Sequence, residues 1–175
     1  IEARRTVLPF VLIGLAVAVI AVDDGSFLGG VRPFDGGDDG LFYDGYGRMI
    51  HDGYRPWTIT KRFWDMAAGT PKQEVVADPK SGSKHNRGCA VDLSMYDLAT
   101  GKAVQMPGEY DEPSLRSYPD YTGGAPEARA KRDLLRAVME RQGFTVEPNE
   151  WWHFNYKDWP SYPILDISFQ QATKR

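Results

Sequence analysis

The heptapeptide CAVDLSM, residues 89–95, alternates apolar side chains with small or polar ones and therefore predicts a half-buried β-strand. Successive side chains of a strand point to opposite faces, so Ala90, Asp92 and Ser94 share one face. The other face carries Cys89, Val91, Leu93 and Met95. Burying a lone carboxylate is costly unless a cation or hydrogen bonds compensate it, so Asp92 is expected to face a positive group.

The segments around this strand predict one α+β domain over residues 45–175. Residues 48–51 form a short segment with apolar side chains that leads into a turn, and a helix over 58–68 and a polar loop over 80–88 are expected after it. Pro126 begins a second helix that Gly143 is placed to cap, and two strands at 144–147 and 151–156 are joined by the Pro148-Asn149 turn. The apolar stripes are Ile59, Phe63, Trp64 and Ala67 on the first helix and Ala130, Leu134, Leu135, Val138 and Met139 on the second, which leaves Lys131, Arg132 and Arg136 on its solvated side.

The first 44 residues have a different composition. Arg4 and Arg5 precede an apolar run over residues 7–22, a layout that favours a secretory signal peptide over the alternative of a buried strand or helix. At sixteen residues the run is shorter than the roughly 20 that a transmembrane helix needs. Residues 23–44 are rich in glycine and aspartate and predict a linker, because the ligand spacing of an EF-hand calcium loop is absent.

Composition excludes several classes of protein. The 175 residues are 42% apolar, enough for one core, and 21 Lys and Arg against 24 Asp and Glu give a net charge of -3. Without a global positive field, nucleic acid is not an expected partner, and membrane contact is expected only if the N-terminal apolar run is an uncleaved anchor. The single cysteine excludes an internal disulfide framework and a thiolate-based zinc site.

Any metal site must therefore use histidine and carboxylate. His85 lies seven residues before Asp92 across a loop that can fold back, and His153 lies in an aromatic strand. Two imidazoles and one carboxylate form the ligand set of a catalytic zinc centre, which leaves a position for water. Glu150 is the candidate base for that water, provided that it still belongs to the turn, because a regular strand would direct it away from His153.

Each of these residues also has a purely structural interpretation. His153 could be a hydrogen-bonded core residue, Asp92 could pair with an arginine, and Glu150 could be a solvated turn residue. Cys89 is expected to be a small buried hydrophobe. His51 is expected to contact the site from outside or to lie on the surface, since three ligands are already available. The joint pattern favours a metal site.

Two motifs resemble those of a known family. Ser83-Lys84-His85-Asn86-Arg87-Gly88-Cys89-Ala90-Val91-Asp92 matches the pattern S-x-H-x-x-G-x-A-x-D, and Glu150-Trp151-Trp152-His153 matches E-x-W-H, both typical of zinc D,D-peptidases that act on cell-wall peptides. With Gly53-Tyr54-Arg55-Pro56 upstream and residues 106–111 after the strand, the chain is most similar to the VanX-type D-alanyl-D-alanine dipeptidases. The resemblance covers about residues 45–169.

This resemblance implies a fold and a set of roles. The fold would be a small antiparallel sheet that carries the zinc site and is flanked by helices, as in hedgehog and D,D-peptidase domains. The family implies one Zn²⁺ per chain on His85, Asp92 and His153, with Glu150 as general base and then acid. Arg55 would stabilise the transition state, although an ion pair with Asp52 that braces its turn is an alternative. Ser83, Asp111 and Trp151 would border the dipeptide, with Asp111 on its ammonium group.

The expected function is zinc-dependent hydrolysis of D-alanyl-D-alanine to two D-alanines. One alternative is a D,D-carboxypeptidase or wall endopeptidase acting on longer peptides, and another is a zinc-binding module with impaired catalysis. A signal peptide over residues 4–22 would place the protein in the periplasm or outside the cell, whereas without one it would be cytoplasmic. The sequence predicts no oligomeric state.

Overall fold

The computed structural model describes residues 45–172, and the predicted signal segment and glycine-aspartate linker lie outside this range. Its strands are β1 (Tyr46–Asp52), β2 (Ala90–Asp97), β3 (Phe144–Glu147) and β4 (Glu150–Tyr156). Its α-helices are α1 (Trp57–Ala67), α2 (Pro126–Arg141) and the short α3 (Phe169–Ala172). Among these residues, no helix is both long and apolar enough to cross a membrane.

The four strands form one antiparallel sheet in the order β1-β2-β4-β3. Strand β4 is the return strand of the hairpin with β3, yet it pairs on its other side with β2, which comes much earlier in the chain. This confirms the predicted α+β class with a small antiparallel sheet and a few helices. The sheet order also places the first three residues of β2 directly beside the second half of β4.

One face of the sheet contributes to the hydrophobic core together with α2. Val91, Leu93 and Met95 of β2 are fully buried in this core, as predicted. The opposite face of the strand is buried as well, so the prediction of a half-buried strand is wrong. The largest apolar side chains that α2 adds are Leu135, Val138 and Met139. Gly143 ends this helix in a left-handed conformation that glycine adopts without steric cost, as predicted.

Helix α1 buries only part of the stripe that the sequence predicted. Ala67 is buried as predicted, but Phe63 is exposed and Thr60, which lies outside the stripe, is buried. The reason is polar: the Thr60 hydroxyl accepts a hydrogen bond from the buried side chain of Asn86, and Phe63 instead lies beneath the guanidinium of Arg55. The hydrogen bond draws the Thr60 face of the helix inward.

Glu150 is the first residue of β4, not a turn residue as predicted. Its partner in the register is Glu147, and the register shifts between Val146 and Glu147. Such an irregularity changes the local twist and the directions of side chains. The Pro148-Asn149 turn therefore connects the two strands directly. The direction of the Glu150 side chain is set by the irregular end of the hairpin and not, as predicted, by a position in the turn.

Candidate metal centre and catalytic site

The three candidate ligands come from three separate elements. Asp92 lies on β2 and His153 on β4, and the two residues are directly paired in the sheet register. His85 lies on a short 3-10 helix, Lys84–Arg87, which begins at Ser83 and ends at Gly88 in the left-handed conformation. One ligand atom from each residue lies within 4.8 Å of the others, and all three residues are buried. Within the described part of the chain, this is the cluster that could hold a metal ion.

The distances and the chemistry of the donors fit a cation. Oδ1 of Asp92 lies 3.0 Å from Nδ1 of His153 and 3.4 Å from Nε2 of His85. This oxygen is buried and has no hydrogen-bond partner in the part of the chain that the structure describes. An unsatisfied buried carboxylate oxygen is costly, and a metal ion between it and the two imidazoles would remove that cost. Two nitrogens and one oxygen are a donor set that zinc accepts with a coordination position left open.

The protonation of the cluster follows from its geometry. Burial works against ionisation of Asp92, but His153 and His85 outweigh it and hold the pKa of this carboxyl well below its ordinary value. Burial would lower the pKa of His153, yet Asp92 beside it raises that pKa overall. Asp92 is therefore already in its ligand form, whereas a metal must compete with a proton for His153.

His85 is oriented from outside the cluster. Its Nδ1 lies 2.8 Å from the carbonyl oxygen of Gly53, which can only accept a hydrogen bond. Nδ1 therefore carries the proton, and Nε2 presents its lone pair toward Asp92 and His153. The main-chain N–H of Arg55 in turn donates to the carbonyl oxygen of His85 at 3.1 Å. The turn that carries Arg55 thus fixes one candidate ligand.

Glu150 lies at the edge of the cluster. Its Oε2 is 3.4 Å from Nδ1 of His153. Burial raises the pKa of Glu150 above its ordinary value, and the negative charges of Asp92, Glu147 and Asp111 add to this effect, although His153 opposes it. A carboxylate with a raised pKa next to a candidate metal site is suited to accept a proton from water and release it again.

The side chain of Arg55 makes two contacts. Its guanidinium forms an ion pair with Asp52, with Nε 3.0 Å from Oδ2, and the pair is partly exposed. The guanidinium also lies 5.2 Å from the centre of the Phe63 ring. The ion pair that sequence reasoning offered as an alternative is present, and the charge remains next to the turn that holds His85.

The three residues expected to border a substrate lie in different settings. Ser83 caps the 3-10 helix, and its hydroxyl accepts a hydrogen bond from the main-chain N–H of His85 at 3.2 Å. Asp111 is exposed and is the one non-glycine among the described residues with a left-handed backbone. Trp151 is buried in the core cluster, and its indole N–H has no hydrogen-bond partner among residues 45–172.

Comparison with known proteins identifies the family. The family model described as peptidase M15, D-ala-D-ala dipeptidase, matches residues 40–172. The chain belongs to this family. M15 peptidases are metal-dependent, which agrees with a buried cluster of two histidines and an aspartate.

Three relatives are similar over most of this chain, and each is named D-alanyl-D-alanine dipeptidase. The protein from Escherichia coli (strain K12) is 36% identical over 69% of this chain and 61% of its own length. Those from Enterococcus faecium and Enterococcus faecalis (strain ATCC 700802 / V583) are 34% and 35% identical over 71% of this chain, and each is covered over 69% of its own length. The chain thus spans about two thirds of the relatives that it matches.

Two residues of this M15 domain were missed by sequence reasoning. The hydroxyl of Tyr110 donates to Oδ2 of Asp92 at 3.3 Å, and the Tyr110 ring stacks on His51. His51 itself is exposed and lies 2.8 Å from the hydroxyl of Ser94, so it contacts the site from outside, as expected. Asn155 contacts the outer nitrogen of His153 at 2.8 Å. Its position two residues after His153, on the same strand face, was a usable signal, whereas nothing in the local pattern indicated Tyr110.

Proposed function

We propose that the protein is a zinc-dependent dipeptidase that hydrolyses D-alanyl-D-alanine to two molecules of D-alanine. The observation that carries this proposal is the meeting of His85, Asp92 and His153 in one buried cluster, with the Glu150 carboxylate at its edge. Membership of the M15 family and the names of the relatives support the choice of substrate.

Each member of the cluster has a defined part in the binding of zinc. Nε2 of His85, Oδ1 of Asp92 and Nδ1 of His153 would hold the ion, because these three atoms face one another. A zinc ion bound there supplies polarisation of the scissile carbonyl and acidification of water. The position left open by three protein ligands is where the substrate and water would meet.

The proton transfers fall to Glu150. Its carboxylate accepts a proton from the attacking water at Oε2 and then gives it to the amine that leaves. Burial, which raises the pKa of Glu150, favours this second step because the protonated form becomes easier to reach. Arg55 supplies a permanent positive charge for the oxyanion that develops on the substrate.

The remaining residues bind the dipeptide. Asp111 pairs with the substrate ammonium group, and its exposed position allows it to meet a ligand that arrives from solvent. Trp151 offers an indole N–H that the described residues leave without a partner. Ser83 borders the substrate from the loop that carries His85.

The test is the release of D-alanine from D-alanyl-D-alanine. Zinc-loaded protein is expected to release D-alanine, and treatment with a chelator is expected to stop the reaction until zinc is restored. The matched control is Glu150→Gln, which keeps the side-chain shape and removes the base. It is expected to retain zinc while hydrolysis falls by about 10²- to 10⁴-fold.

Three results would contradict the proposal. Zinc-loaded protein that leaves the dipeptide intact but cleaves longer wall peptides would show a carboxypeptidase or endopeptidase. Zinc-loaded protein without activity on either class would indicate a binding module. A Glu150→Gln variant with wild-type activity would show that another group activates water.

A further inference from the structure

A chain of hydrogen bonds leads away from His153 on the side opposite the metal cluster. Nε2 of His153 lies 2.8 Å from Oδ1 of Asn155, and Nδ2 of Asn155 donates to Oε2 of Glu147 at 2.7 Å. The same carboxylate oxygen accepts a hydrogen bond from Nζ of Lys84 at 2.7 Å. The chain thus connects β4, β3 and the 3-10 helix that carries His85.

The order of donors and acceptors decides which nitrogen of a neutral His153 ring carries the proton. A carboxylate can only accept hydrogen bonds, so the NH₂ group of Asn155 must face Glu147. The amide oxygen of Asn155 then faces Nε2 of His153, which must carry the proton in order to donate to it. The lone pair of the neutral imidazole is left on Nδ1, the atom that faces Asp92 and His85.

Lys84 is the last residue in this series of hydrogen bonds. It forms an ion pair with Glu147 that is about two-thirds shielded from solvent, and Lys84 is the residue immediately before His85. Asn155 is itself buried, with 6% of its surface exposed, so water does not readily replace its contact with His153. These hydrogen bonds therefore link the 3-10 helix that carries His85 to the strand that carries His153.

We propose that Asn155, Glu147 and Lys84 are positioning residues that hold His153 in the Nε2-protonated tautomer and so present Nδ1 to the metal ion. The inference rests on the proposed zinc site. Asn155 acts directly on His153, Glu147 orients the amide of Asn155, and Lys84 holds the carboxylate of Glu147. Outer hydrogen bonds of this kind commonly change metal affinity by about 10- to 100-fold when removed.

The test measures zinc affinity by competition with a chelating dye, and it needs no substrate. Asn155→Ala is expected to weaken zinc binding by about 10- to 100-fold. Glu147→Ala is expected to weaken it less, because Asn155 remains in place but loses its orientation. The two losses are expected to be less than additive in the double variant, because Glu147 acts mainly through Asn155, although its Oε2 also lies 3.9 Å from Nε2 of His153.

Two further measurements separate positioning from folding. The Nε2–H proton of His153 in the zinc-loaded protein is expected to exchange slowly with solvent in the wild type, where it donates to Asn155, and faster in Asn155→Ala. Lys61→Ala, which removes an exposed ion pair with Asp65 on α1, serves as the matched control and is expected to leave the zinc affinity unchanged. If Asn155→Ala fails to fold, Glu147→Ala and Glu147→Gln carry the test.

The outcomes distinguish this inference from the proposed function. Wild-type zinc affinity in both the Asn155 and the Glu147 variants, with an active wild type, would overturn the inference alone. Zinc losses that add in the double variant would also contradict it, because they would show independent effects. A wild type that binds no zinc at His153 would overturn the proposed function and this inference together.

Discussion

Arg55 is held by its main chain and its side chain in different ways. Its N–H supports the carbonyl oxygen of His85, while its guanidinium pairs with Asp52. The ion pair is about as shielded from solvent as that of Lys84 and Glu147. We expect the side chain of Arg55 to matter more to the proposed reaction than to the fold, because the main-chain hydrogen bond to His85 does not need it.

Replacement of Arg55 by alanine is expected to lower kcat and kcat/KM together. A fall of about 10²- to 10³-fold corresponds to the loss of one donor to an oxyanion, and the melting temperature should change little because the main chain is kept. Steady-state kinetics on D-alanyl-D-alanine and thermal unfolding of the same samples measure both quantities.

Asp52→Asn is the matched control, because it removes the ion pair and keeps the guanidinium. It is expected to retain most of the activity that Arg55→Ala loses. An Arg55→Ala protein that melts much earlier and yet turns over normally while folded would assign the residue to structure instead.

At the scale of elements, the loop between β2 and α2 is organised by one carboxylate. Glu112 accepts hydrogen bonds from the main-chain N–H of Glu109, the hydroxyl of Ser114 and the guanidinium of Arg116. These hydrogen bonds lower the pKa of Glu112 to about 2, from an ordinary value of 4.5. Because Tyr110 and Asp111 lie between these anchors, Glu112 also fixes the loop that meets the candidate site.

This lowered pKa predicts a specific dependence of stability on pH. A group whose pKa is lower in the folded protein stabilises the fold above its unfolded pKa, and that contribution is lost as the pH falls from about 4.5 through about 2. Glu112→Gln is therefore expected to be less stable than wild type at pH 6, with the difference shrinking as the pH approaches 2.

Thermal unfolding of the wild type and Glu112→Gln across this pH range measures the difference. Glu109→Gln, which removes a charge from an exposed position in the same loop, serves as the control. A difference between wild type and Glu112→Gln that stays constant from pH 6 to pH 2 would show that the hydrogen bonds to Glu112 do not depend on its charge.

Local sequence patterns predicted the positions of helices and strands better than they predicted which side chains are buried and what those side chains contact. The alternation in residues 89–95 correctly separated the core-facing side of β2 from the side that carries Asp92, but it did not indicate that both sides are buried. Arg132 shows the limit of such patterns, because it was expected on the solvated side of α2 and is buried. Its guanidinium donates to the carbonyl oxygen of Tyr121 and pairs with Asp133. A partner in a distant loop cannot be recognised from helical spacing.

At the scale of the molecule, the candidate site depends on sheet order. The sequence identified Asp92 and His153 as residues in need of partners, but it contained no signal that β2 and β4 are neighbours in direct register. That adjacency follows from long-range pairing, which no local pattern encodes. The family resemblance supplied what local patterns could not, since it linked the motif around His85 and Asp92 to the one around Glu150 and His153.

We propose that this sheet and the 3-10 helix together build one zinc site. A crystal structure of zinc-loaded protein, with anomalous diffraction measured at the zinc absorption edge, would locate the ion. We expect a single zinc ion bound by Nε2 of His85, Oδ1 of Asp92 and Nδ1 of His153 at about 2.0–2.2 Å. A zinc ion held by other residues, or the absence of zinc from this cluster in a well-ordered fold, would contradict it.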